Sequence, residues 1–329
     1  MLNPEAKLRQ DIFDGKESAP TRDGFGKGLV EAGKADPNVV ALSADLSEST
    51  RVEEFKQAYP ERFIEMGVAE QNMATVAAGM AGYGKVPFIT SYAAFSPGRN
   101  WEQIRTTIAL NNVPVKICGM HAGVSVGLDG ATHQMLEDMT LMRAMPNMTV
   151  ISPCDGEEAR KATFAAARSG TPVYLRFGRE KTPIMTTSDT SFEIGKAALY
   201  WKSDTPQVAI FATGPLLFNA LKAAQELEKN NIQVNVINVA TIKPLDTQTV
   251  VAQSQIAGAV VTVEEHQITG GLGGAIAEAL AQECPVPIEL IGVRDRFGQS
   301  GTPAELIEHY GLGVSHIVSA VQKVISRKK

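Results

Sequence analysis

Short apolar runs recur along the chain, separated by stretches whose apolar residues fall at helical spacing. In the first part the runs lie at 39–43, 86–91, 113–118, 148–152 and 173–177, and a further strand signal beginning at Phe63 is followed directly by an Ala/Gly-rich helical segment. In the second part they lie at 208–212, 234–239, 260–263 and 288–293. Runs of this length, rich in Val and Ile and bounded by Gly, Pro or Asn, read as strands buried in a parallel sheet. Between them, 155–169 and 215–230 place Ala and Leu at helical spacing and end in polar or Gly residues. The alternation predicts βαβ units with helices on both sheet faces. Near 182–191 the pattern lapses into a Thr/Ser-rich, aperiodic stretch that reads as a linker. The expected fold class is α/β: two open, mostly parallel-sheet domains, at 21–188 and 189–329, behind an N-terminal extension at 1–20.

Composition narrows the function classes. The 329 residues suggest about two domains at ~150 residues each. Lys and Arg number 31 against 36 Asp and Glu, so no basic surface for nucleic acid stands out. No apolar run approaches the ~20 residues that a membrane helix needs, and the polar, mixed-charge start is no secretory signal. Cys118, Cys154 and Cys284 are an odd number without paired spacing, which argues against a disulfide framework or zinc ribbon and fits a reducing cytosol. A cytoplasmic protein with no nucleic-acid or membrane partner is expected.

Three glycine patterns invite a nucleotide reading. Gly28 to Ala35 and Gly79 to Val86 nearly match a phosphate loop, but both end a helical stretch, lead into a strand and lack the Ser/Thr that would bind Mg²⁺. Their glycines fit close packing or helix C-caps better. Gly270-Gly271-Leu272-Gly273-Gly274 precedes a helical segment, and Glu289 follows at a distance resembling the acidic partner of a dinucleotide fingerprint. The intervening EEHQIT makes the turn too long for that corner, so dinucleotide binding stays a distant alternative.

Three patches concentrate polar chemistry. In IEMGVAEQNM, Glu70 sits at a strand–helix junction, where amides and helix dipole favour a carboxylate. An ordinary N-terminal helix carboxylate would look the same. In PFITSYAAF, Tyr92 and Phe95 end a strand, where they would either pack in the core or wall a flat heterocycle. In HAGVSVGLDGATHQMLEDM, His121, Asp129 and His133 share a Gly-rich loop. The spacing of its histidines suits no metal pair, whereas hydrogen bonding to a polyhydroxylated substrate fits.

Together GVAEQNM, PFITSYAAF, HAGVSVGLDGATHQMLEDM and PNMTVISPCDGEEA, followed by IKPLD and TVEEHQITGGLGG, resemble the pyrimidine-binding and C-terminal domains of transketolase. The similarity covers nearly the whole chain from Thr21. Transketolases carry, ahead of these domains, a third that binds the diphosphate and metal of thiamin diphosphate through Gly-Asp-Gly and a downstream Asn. This sequence has no Gly-Asp-Gly, and its matching motifs begin near residue 21. The resemblance therefore implies the C-terminal subunit of a split transketolase, whose diphosphate-binding half is a separate polypeptide.

By the same resemblance, Glu70 matches the glutamate that shares a proton with a pyrimidine nitrogen of thiamin diphosphate. Phe95 matches the aromatic stacking on that ring, with Tyr92 beside it, and Asp45 an aspartate near the cofactor. Arg22, Ser49, His121 and Arg179 match positions binding the sugar phosphate, with Arg176 the weaker choice for the second arginine. Asp129 and His133 match residues contacting sugar hydroxyls, and His133 would assist proton movements. The implied activity is transfer of a two-carbon ketol unit between a ketose phosphate and an aldose phosphate, as in the pentose phosphate pathway. Mg²⁺ or Ca²⁺ would be bound through the partner, in an α2β2 heterotetramer with shared sites. Deoxyxylulose-phosphate synthase and the 2-oxo acid dehydrogenase beta subunit are the nearest alternatives.

Overall fold

The computed structural model describes residues 1–15 and 17–328. Lys16, within the expected N-terminal extension, and Lys329, at the end of the expected second domain, lie outside the described residues. The strands are β1 (Ser18–Pro20), β2 (Val39–Ser43), β3 (Phe63–Glu65), β4 (Val86–Tyr92), β5 (Lys116–Met120), β6 (Thr149–Ile151) and β7 (Val173–Arg176). They continue with β8 (Lys181–Pro183), β9 (Ala198–Trp201), β10 (Val208–Ala212), β11 (Val234–Asn238), β12 (Thr241–Lys243), β13 (Val260–Gln267) and β14 (Ile288–Val293).

Two α/β sheets result. The first runs β12-β6-β7-β5-β4-β2-β3 and is parallel except for β12, which lies antiparallel on β6. The second runs β14-β13-β10-β11-β9 and is parallel except for β9. Every position of β2, β5, β7, β10 and β11 is buried, which is why these segments read as unbroken apolar runs rather than alternating ones. One hydrophobic cluster joins Leu42, Ile89, Ile117 and Val150 of the first sheet to Phe211, Ile237 and Val260 of the second.

The glycine decoys resolve into packing. Gly28 lies in the helix Thr21–Ala35, which packs on the helix Gly156–Ala167. A Cβ at Gly24 would stand 1.8 Å from the Gly156 carbonyl oxygen, and one at Gly28 would stand 2.5 Å from that of Arg160. The second string ends the helix Glu70–Gly82 and turns into β4.

Several segments depart from the sequence pattern. The strand expected at 113–118 is displaced to Lys116–Met120. The stretch expected as a linker begins within β8, which pairs antiparallel with β1. Asp155, N-cap of the helix Gly156–Ala167, pins the same stretch: its Oδ2 accepts from the amides of Met185 and Thr186, both at 2.7 Å. The N-terminal segment is also packed, with Leu8 and Ile12 buried against the core of the second sheet.

Candidate active site

The predicted residues converge at the carboxyl ends of the parallel strands, the edge where open α/β sheets bind ligands. Asp45 and Ser49 follow β2, Glu70 follows β3, Tyr92 ends β4 with Phe95 just beyond, His121 follows β5, and Arg179 follows β7. Arg22 joins them from the first turn of the helix Thr21–Ala35.

Four rings form the centre. Tyr92 stacks on His121 at 3.9 Å between centroids, and on Phe95 at 5.9 Å. His133 meets Phe95 edge-on at 5.4 Å and Tyr92 at 6.1 Å, and its Nδ1 lies 2.9 Å from the Thr132 hydroxyl. His121 is 2% exposed and adopts left-handed backbone at φ +56°. Arg22 Nη1 is 3.2 Å from His121 Nε2. A guanidinium can only donate, so Nε2 accepts and the ring proton resides on Nδ1. Burial, followed by the positive charge of Arg22 and Arg179, pushes the His121 pKa down to about 3, so the ring is neutral at physiological pH.

Arg22 Nη1 also donates to the Ser49 carbonyl at 2.8 Å; the Ser49 main chain rather than its hydroxyl makes this contact. Burial and the neighbouring Arg51 lower the Arg22 pKa below its ordinary value. Arg22 Nε and His121 Nδ1 are buried donors with no partner. Buried polar groups in folded proteins are nearly always paired, so two such donors side by side suit an oxygen-rich, anionic ligand. Arg179 Nη1 donates to the Val126 carbonyl at 3.0 Å and pairs with Asp129 at 3.4 Å. Arg176 is not part of the site. It is buried, donates to Asp138 Oδ2 at 2.8 Å and to the Glu265 carbonyl at 2.8 Å, and so ties the two sheets together.

Glu70 opens the helix Glu70–Gly82 and is 1% exposed. Arg99 Nη1 donates to its Oε2 at 2.7 Å, and Asn100 Nδ2 donates to its carbonyl at 3.0 Å. Arg99 lies over the Phe95 ring, 4.8 Å from its centroid, which links the carboxylate to the aromatic cluster. A buried carboxylate beside an aromatic face, with the unpartnered Asn100 Oδ1 nearby, matches the polar edge and flat face of an aminopyrimidine. Asp45 lies at the same sheet edge with left-handed backbone at φ +59°. Its amide donates to Glu65 Oε1 at 2.8 Å.

Sequence reasoning missed Arg99 and Asn100, although both lie in the stretch that follows the aromatic motif. It also left Glu264 unread. That carboxylate is fully buried and accepts from the amides of Leu272 and Gly273, both at 2.8 Å. The Gly-rich helix start is therefore filled by the chain's own carboxylate, which closes the dinucleotide alternative there. Burial pushes the Glu264 pKa up to about 7. Gly123, at φ +94°, lets the Gly-rich loop that carries His121, Asp129 and His133 approach the second sheet: a Cβ there would lie 2.3 Å from Glu265 Oε1, which accepts from the Ser125 amide at 2.6 Å.

Among the described residues, no group of three or more His, Cys, Asp or Glu could hold a metal ion. No helix among them is long and apolar enough to cross a membrane. Cys118, Cys154 and Cys284 are free thiols.

Comparison with known proteins gives two family matches: the transketolase pyrimidine binding domain at residues 17–185 and the transketolase C-terminal domain at 196–317. A protein of Methanocaldococcus jannaschii described as a transketolase C-terminal section is 42% identical over 93% of this chain and 96% of its own length. The 6-deoxy-6-sulfo-D-fructose transketolase subunit SqwH of a Clostridium strain is 40% identical over 93% of this chain and 95% of its own. Human transketolase is 36% identical over 93% of this chain, which spans only 49% of that protein. A solved split gene transketolase, described as an inactive beta4 tetramer, superposes with a TM-score of 0.88 at 44% identity, over 94% of this chain and 99% of its own.

Proposed function

The chain belongs to the transketolase family, matching the C-terminal section of split transketolases, and from that premise we propose that it supplies the pyrimidine half of a thiamin diphosphate site. The activity we infer is transfer of a two-carbon ketol unit from a ketose phosphate to an aldose phosphate. It requires a separate diphosphate-binding subunit, which also holds Mg²⁺ or Ca²⁺, in an α2β2 assembly. The division into domains at 21–188 and 189–329 belongs to the same reading.

The observation that carries the proposal is buried Glu70 beside the Phe95 ring at one strand edge, the two linked by Arg99, next to the unpartnered donors of Arg22 and His121. When bound, thiamin diphosphate supplies the nucleophilic carbon and the electron sink for carbon–carbon cleavage. Glu70 would share a proton with a pyrimidine nitrogen, and Phe95 and Tyr92 would hold the ring flat. Asp45, at the same sheet edge, would stand near the cofactor. Arg22, Arg179 and the Ser49 segment bind the terminal anion of the sugar, and guanidinium forks suit its oxygens. His121 Nδ1 and Asp129 contact substrate oxygens, and His133 at the ring edge moves protons. Neutral His121 donates without adding charge.

A second reading concerns the anion alone. The likeness to a 6-deoxy-6-sulfo-D-fructose transketolase subunit favours a terminal sulfonate in place of phosphate at the same arginines. The test of the proposal is Glu70→Gln in the assembled enzyme. Loss of a positioned acid–base group removes about 10²–10⁴ in rate. Ketol transfer should fall by that order with the circular-dichroism spectrum unchanged, and wild-type turnover by the variant would sink the assignment.

A further inference from the structure

Arg99 makes two contacts that the roles above leave unexplained: Nη1 on Glu70 Oε2 at 2.7 Å and the guanidinium over Phe95 at 4.8 Å. A guanidinium is a flat cation that stacks on a ring face while donating hydrogen bonds in its own plane. An aminopyrimidine resting on Phe95 with its polar edge at Glu70 would make the same two contacts. Both cannot use that ring face and that carboxylate oxygen together.

The two partners differ in freedom. The Glu70 side chain is 1% exposed and its main-chain carbonyl is held at the helix start by Asn100, whereas the Arg99 side chain is 48% exposed. Arg99 can swing into solvent and Glu70 cannot. Without a partner, a buried carboxylate is costly, so something must neutralise it before the cofactor arrives.

We propose that Arg99 is a positioning residue that gates the pyrimidine subsite: it occupies the place of the aminopyrimidine and leaves when the ring enters. The gate rests on the reading of Glu70 and Phe95 as cofactor contacts. Apparent cofactor affinity is then the intrinsic affinity reduced by the fraction of molecules with Arg99 displaced.

The test measures thiamin diphosphate binding, with Mg²⁺, to the assembled two-subunit protein by calorimetry and stopped-flow fluorescence, for wild type, Arg99→Ala and Arg99→Lys. A partly exposed ion pair is worth little, so removing it should tighten binding roughly fivefold and speed association by a similar factor. Arg99→Lys keeps the charge but loses the planar fork, and should fall between the two. If Arg99 only supported Glu70, the Ala variant would bind more weakly. Equal or weaker binding by that variant overturns the gate and leaves the cofactor reading standing. Should the Ala variant fail to fold, association with Arg99→Lys decides: faster than wild type supports the gate, equal or slower overturns it. If none of the three proteins binds the cofactor, the cofactor reading fails and the gate fails with it.

Discussion

Replacing His121 by Asn removes a titrating ring from the site while retaining a residue that tolerates its left-handed backbone at φ +56°. In the native protein the His121 pKa lies near 3, against an ordinary value of 6.5. Above pH 6.5 the ring is neutral in both native and unfolded chains. As the pH falls from there toward 3, only the unfolded chain takes up the proton, so the native state loses stability on acidification. At pH 5, about 1.5 units below the unfolded value, the loss is about 2 kcal/mol. Urea unfolding of both proteins at pH 7 and pH 5 isolates this contribution, because other titrating groups are common to the two. Wild type should lose about 2 kcal/mol more than His121→Asn between the two pH values. Parallel losses would refute the claim that His121 is held neutral by burial and by its arginine neighbours.

Other perturbations probe separate parts of the account. Arg179→Gln in the assembled enzyme should raise KM for a phosphorylated ketose roughly tenfold or more, with a smaller effect on kcat, because an anion contact is lost. Steady-state kinetics on phosphorylated and unphosphorylated donors would show the difference, and an equal effect on both would contradict a role at the anion. Asp138→Asn leaves the Arg176 guanidinium buried without its counter-charge. It should destabilise the chain by about 3–5 kcal/mol in denaturant unfolding.

The strand ends that build the site were legible because β2, β4 and β7 are near-continuous apolar runs, and a parallel sheet sends all their carboxyl ends to one edge. The edge strands were harder to read. β12, only three residues long, follows β11 almost at once but crosses to the first sheet, and no local pattern distinguishes it from a loop. The Thr/Ser-rich stretch at 182–191 looks like a linker because its order comes from distant partners: Asp155 holds Met185 and Thr186, and β1 pairs with β8. Long-range hydrogen bonds leave no periodicity in the sequence. Glu70, Phe95 and His121 were singled out by motifs and Arg179 by the resemblance alone, and all four lie at that edge. Arg99 escaped because an arginine after a turn carries no signal until its distance to Glu70 is known. The Gly-rich helix start misled for a similar reason, since the carboxylate that fills it, Glu264, lies eight residues before Leu272 on β13.

The central claim is that this chain holds half of each active site, and the most direct measurement is ketol transfer with thiamin diphosphate and Mg²⁺ by the chain alone and mixed with its diphosphate-binding partner. Xylulose 5-phosphate as donor and ribose 5-phosphate as acceptor give a product readable by a coupled assay. The account predicts turnover in the mixture and none from either subunit alone. Turnover by this chain on its own would contradict the shared site, and a mixture that ignores sugars but consumes pyruvate would contradict the substrate class.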